Sequence, residues 1–166
     1  MNKVKSKFSL VAVIAILFLS SLELHGLTRS DERKVAVKLD KVIKRYMMSY
    51  TKENILMAMG TFAKDPILYW SSGILFKGTD EARASLMSAY KEMEDFKSTW
   101  KQEEAKIKYD MAVVVGVWSW SALHVGTQKK VTRKVRTTFV FIREYGNWKI
   151  WHEHSSLLYI KKNKSK

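Results

Sequence analysis

The chain has 166 residues, a net charge of +14, no cysteine, 46% apolar residues and six tryptophans. This is enough chain for one domain with one core, and it is too apolar and aromatic for a disordered polymer. A disulfide scaffold and a lipoprotein are excluded.

The N-terminus reads separately from the rest. Lys3, Lys5 and Lys7 precede an apolar run over 8–19, and Ser20, Ser21 and Gly26 follow. A basic start, a short apolar centre and a small-residue exit are the pattern of a secretory signal peptide. The run is shorter than the roughly 20 residues of a membrane span. The expectation is a leader over 1–26, removed somewhere after residue 20, with export to the periplasm or beyond. An uncleaved leader would be the one membrane contact. Without these residues the charge falls only to +12, because they hold three Lys and one Glu. The excess clusters at Lys129, Lys130, Arg133, Lys134 and Arg136, and in a basic tail over 161–166. We read both as solvated, since no nucleic-acid-binding motif accompanies them.

A domain is expected over 27–160. Ser30 is a candidate N-cap, with Asp31 and Glu32 in the first turn, where the helix dipole favours negative charge. Val35, Leu39, Val42, Ile43, Tyr46, Met47 and Tyr50 recur at helical spacing, predicting a helix over 31–50. Thr51 is read as the cap of a second helix with Ile55, Leu56, Met59, Phe62 and Ala63 on its buried stripe, ended by Asp65-Pro66. A short strand is predicted over 67–70. A third helix follows Gly78, with Ala82, Leu86, Tyr90 and Met93 on one face.

After about residue 97 the period becomes two. Ala105, Ile107 and Tyr109 alternate with lysines, 113–125 is apolar on both faces, and strands over 131–143 and 147–159 follow. Helices first and long strands after predict an α+β fold: a cone-shaped roll of three N-terminal helices on one curved antiparallel sheet, with a pocket between helices and concave face.

The segments F-A-K-D-P-I-L-Y-W (62–70), L-F-K-G-T-D (75–80), the 136–144 strand and above all G-N-W-K-I-W-H-E-H-S-S (146–156) resemble the nuclear transport factor 2-like superfamily. Within it the chain is similar to the SnoaL-like branch and to the association domain of calcium/calmodulin-dependent kinase. The resemblance spans 31–158 and implies the cone fold. It leaves function open, because this fold hosts isomerases, dehydratases, binding modules and assembly domains.

The turn at 144–146 is read as type I with a Gly146 bulge, pairing Arg143 with Asn147. One face of the hairpin then carries Arg136, Val140, Ile142, Trp148, Ile150, His152 and His154. The other carries Phe139, Trp151, Glu153 and Ser155. In the kinase association domain, positions matching Trp118, Phe139 and Ser155 line the pocket as arginines and bind acidic ligands. The resemblance therefore aims Phe139, Trp151, Glu153 and Ser155 inward, with Trp118 and Trp120 beside them; Tyr69 or Tyr90 is the candidate donor in the same pocket. The His face becomes the convex, homodimerising one. Absence of the arginines replaces carboxylate recognition by an aromatic pocket. A metal is not assigned, because His152 and His154 need a third ligand and nothing brings His124 beside them.

Two functions fit. One is an exported homodimer whose pocket binds a small apolar molecule, with no reaction and no cofactor. The alternative is a cofactor-free isomerase, dehydratase or cyclase with Glu153 as proton-transfer base. The sequence offers no convergent second acid, which favours binding.

Overall fold

A computed structural model describes residues 28–48 and 54–158 of the chain. Expectations for the leader over 1–26, for Tyr50, Thr51 and Tyr159, and for the tail over 161–166 lie outside the described residues.

Helix α1 (Arg29–Met48) opens on Thr28 rather than Ser30. The Thr28 hydroxyl accepts the Asp31 backbone N–H at 3.2 Å and donates to its carboxylate at 2.7 Å. Together with Lys34, this hydroxyl holds the Asp31 carboxyl below its usual range. Val35, Leu39, Ile43, Tyr46 and Met47 form the buried stripe.

Helix α2 (Ile55–Met59) is much shorter than its periodicity implies. Gly60 and Thr61 turn the chain, and the Thr61 hydroxyl takes the Ala58 carbonyl at 2.6 Å. Phe62 and Ala63 are buried, but they begin strand β1 (Phe62–Tyr69) rather than continue a helix. Pairing with the last strand outweighs local helical spacing. Pro66 causes no break, because it lies where the β1 register shifts between Phe62 and Ile67, so its missing N–H interrupts no ladder.

β2 (Leu75–Lys77) leads into α3 (Gly78–Glu92), whose Glu81 accepts the Lys77 N–H at 2.7 Å. Four long strands follow: β3 (Met93–Lys108), β4 (Met111–His124), β5 (Lys130–Glu144) and β6 (Asn147–Leu157). The curved six-stranded sheet runs β2-β1-β6-β5-β4-β3, and the helices pack on its concave side in an α+β cone. All neighbours are antiparallel except β1 and β6, which run parallel. Gly116 lets β3 close tightly on β4: a Cβ there would meet the Lys101 carbonyl and the Trp100 ring.

The β5–β6 hairpin differs from the expected register in an informative way. Glu144 pairs with Asn147, so the loop is the two residues Tyr145 and Gly146, both with positive φ (48° and 77°). That is a primed hairpin turn, lacking the usual Asn-Gly or Asp-Gly signal. Phe141 then faces Ile150, but Val140 faces His152, leaving Trp151 as an extra, bulged residue. The turn moves the register by one and the bulge moves it by one again. Beyond the bulge Phe139 shares a face with Glu153, as the alternation requires. Before it, Trp148 and Ile150 face inward.

Candidate functional site

Glu153 is fully buried on the inner face of β6. The Tyr46 hydroxyl of α1, 107 residues away in sequence, donates to its Oε2 at 3.0 Å. Ser155 donates to Oε1 at 2.9 Å and meets the Thr137 hydroxyl of β5 at 2.9 Å. Strand alternation explains the Glu153–Ser155 contact, and cross-strand pairing of Thr137 with Ser155 supplies the third member.

Burial pushes the Glu153 carboxyl up to about 7, while Ser155, Tyr46 and Trp70 pull the other way. The Trp70 indole N–H favours the carboxylate electrostatically without a hydrogen bond of good geometry among the described residues. The network can serve both protonation states. The ionised group accepts from Tyr46 and Ser155. The protonated group can donate to Ser155, whose hydroxyl can then turn towards Thr137.

A cavity of about 210 Å³ opens in front of this group, between the end of α3 and the inner faces of β3–β6. Its walls include Trp70, Tyr90, Phe96, Trp118, Trp120 and Met93, with Glu153 and Ser155 at one end. Phe96 stacks on Trp120 with centroids 5.4 Å apart and planes at 21°. Burial pushes the Tyr90 hydroxyl up to about 12, so it remains a neutral donor at ordinary pH.

Of the residues expected in the pocket, Tyr90, Trp118, Trp120, Ser155 and Glu153 line one cavity. Three others do not. Phe139 is in the core behind it, edge-on to Tyr46 and Trp100. Trp151 is 37% exposed, because the bulge takes it out of alternation. Tyr69 is 43% exposed on the outer side, edge-on to His154 at 5.8 Å, because alternation aims its neighbour Trp70 inward instead.

The expected dimer face also changes. Trp148 and Ile150 belong to the core, since the primed turn puts them on Phe141's side. Arg136, Val140, Ile142, His152 and His154 remain on the outer face. His152 Nδ1 is hydrogen-bonded to the Ile67 carbonyl at 2.8 Å. Among the described residues no three His, Asp or Glu side chains gather as metal ligands.

Tyr46, Trp70 and Phe96 were not legible as site residues. For Tyr46 a signal existed: a phenol on a buried helical stripe needs a partner for its hydroxyl.

The SnoaL-like domain profile matches residues 39–160. No curated protein matches significantly by sequence. Among solved structures, a ketosteroid isomerase-like protein from Erwinia carotovora atroseptica is similar with a TM-score of 0.66 and 15% identity, over 75% of this chain and 96% of the other. A provisionally assigned calcium/calmodulin-dependent protein kinase II association domain from Xanthomonas campestris has a TM-score of 0.62 and 20% identity, over 80% and 93%. A provisionally assigned dehydratase of the NTF2-like family from Streptomyces avermitilis has a TM-score of 0.68 and 13% identity, over 75% and 97%. At these identities the likeness is one of fold.

Proposed function

The chain belongs to the SnoaL-like domain family, and from that premise we propose that it is an exported homodimer that binds a small, largely apolar molecule in the cavity before Glu153, with no reaction assigned. The observation that carries this reading is the cavity itself. Its walls are mostly apolar and rich in aromatic rings, while the buried carboxyl of Glu153 has no exposed surface and both its oxygens already accept hydroxyls. A base must reach a substrate proton, and a group so enclosed is better suited to fixing Tyr46, Ser155 and Thr137 in place.

Export is supported by the basic start and the apolar run over 8–19. Pairing of two copies is supported by Met111, Val113, Val140 and Ile142, which meet across β4 and β5 on the outer face, with Val113 41% exposed. Val113→Glu should give folded monomers; a wild type that sediments as a monomer at micromolar concentration overturns pairing.

A second reading, proton transfer by Glu153 as base, is favoured by a pKa near neutrality in an apolar cavity. The isomerase-like and dehydratase-like neighbours give it an associational support only. One variant separates the two. Glu153→Gln keeps the shape and can donate to Ser155 and accept from Tyr46. Mass spectrometry of molecules co-purifying with the native protein and with the variant should find the same compound at similar occupancy. If that compound is turned over by the native protein and the variant is slower by about 10² to 10⁴, the catalytic reading replaces the binding one.

A further inference from the structure

The other end of β6 holds a second hollow with the opposite character. We propose that this groove is a binding site for a small oxyanion carrying two negative charges, such as a phosphate monoester or a dicarboxylate. Its volume is about 390 Å³. Lys38, Val42 and Arg45 line it from one face of α1, at spacings of four and three. Gly60 and Thr61 close one side, and Arg143, Asn147, Trp148 and Lys149 of the β5–β6 hairpin close the other. Among the described residues, four cations face one hollow and no carboxylate is among its walls.

Like charges gathered this way repel one another unless something neutralises them. The acids next in sequence to the lining residues are not among its walls. Asp40 is paired with Lys44 at 2.7 Å, and Glu144 accepts the Lys64 N–H. Asp110 takes up part of the Arg143 charge at 3.6 Å from outside the groove. Lys38 and Arg45 have no carboxylate within ion-pair distance among the described residues.

Two of the cations are also held in place by contacts with uncharged groups. The Arg143 guanidinium lies 4.9 Å over the Trp148 ring, and Lys149 Nζ donates to the Gly60 carbonyl. The Asn147 amide, which donates to the Tyr145 carbonyl at 3.2 Å, and the apolar Val42 and Trp148 are also among the walls. Fixed guanidinium and ammonium donors around a hollow of this size suit a compact, multiply charged oxyanion. A singly charged ligand would leave most of the repulsion in place.

The test uses the full-length chain with inorganic phosphate at pH 7.5 and with succinate, each against sodium chloride of matched ionic strength. Calorimetry and thermal melting should show saturable binding of one ion per chain, and a rise in Tm beyond that of chloride. The stronger ligand of the two identifies the class of anion. In the double variant Lys38→Gln, Arg45→Gln, affinity should fall at least tenfold, while Tm without ligand should hold or rise because repulsion is relieved. A second double variant, Lys130→Gln with Arg133→Gln, removes the same charge at the far end of β5 and should bind as the native protein does. Phosphate and succinate acting no differently from chloride would overturn the proposal. So would equal losses in the two double variants, because binding would then follow total charge rather than the groove.

Discussion

β6 lines both hollows, and the comparison between them is instructive because one strand serves two opposite chemistries. At one end Trp148 and Lys149 belong to a basic groove; at the other Glu153 and Ser155 close an aromatic cavity. Ile150 stands between them in the core. The basic end is wet, so its charges remain hydrated and individually weak in their effect on folding. The aromatic end buries its carboxyl, so that single group is strongly perturbed and every donor to it counts. Similar polar groups differ in consequence because of where water reaches, not because of what they are.

The largest effect should come from the residue that separates the two ends. Ile150→Glu places a charge beneath α1 with no partner, and we expect a loss of more than about 4 kcal/mol, seen as failure to fold cooperatively in denaturant. A soluble, folded variant would return Ile150 to the outer face and dissolve the distinction between the hollows.

Next is the pH dependence of the aromatic end. The folded carboxyl titrates at about 7, and a Glu in the unfolded chain near 4.3. The native state therefore holds this proton more tightly. The stability it contributes is fully present below the unfolded value and is lost as pH rises through the folded one. Denaturant unfolding of the native protein and of Glu153→Gln should diverge between about pH 4.5 and 7.5, the native protein losing up to about 3 kcal/mol more. Parallel pH curves would mean that water reaches the carboxyl.

A smaller change should follow from Ser155→Ala. It removes the donor to Oε1 and strands the Thr137 hydroxyl. The cost should be about 1–3 kcal/mol, greater at pH 8 than at pH 5 because the donor favours the ionised group. A pH-independent cost would count against the hydrogen-bonded carboxylate.

The smallest effect belongs to the wet end. Arg45→Gln should change Tm by no more than a degree or two, upward at low salt, and the difference should vanish in half-molar salt. A marked loss instead would show that Arg45 holds a structural contact.

Some of this was written in the chain itself. The α1 stripe, the α3 face and the shift to a period of two before four long strands follow from local spacing, since a 3.6 or 2.0 repeat is dictated by backbone geometry alone. So does the placing of Glu153 on the face opposite His152 and His154, because neighbours on a regular strand take opposite faces, while its inward aim was what the family resemblance implied. Three decisions were tertiary. Phe62 and Ala63 fit a helical stripe, but parallel pairing with β6 drew them into β1. A Tyr-Gly turn adopted the primed form that strand twist demands, which sent Trp148 and Ile150 into the core. The Trp151 bulge then corrected the parity, so the fully buried Glu153 meets Tyr46 and Ser155. Spacing along the chain can set which way a side chain faces, but only the packed sheet and helices set how many residues a strand skips, and what stands opposite when it arrives.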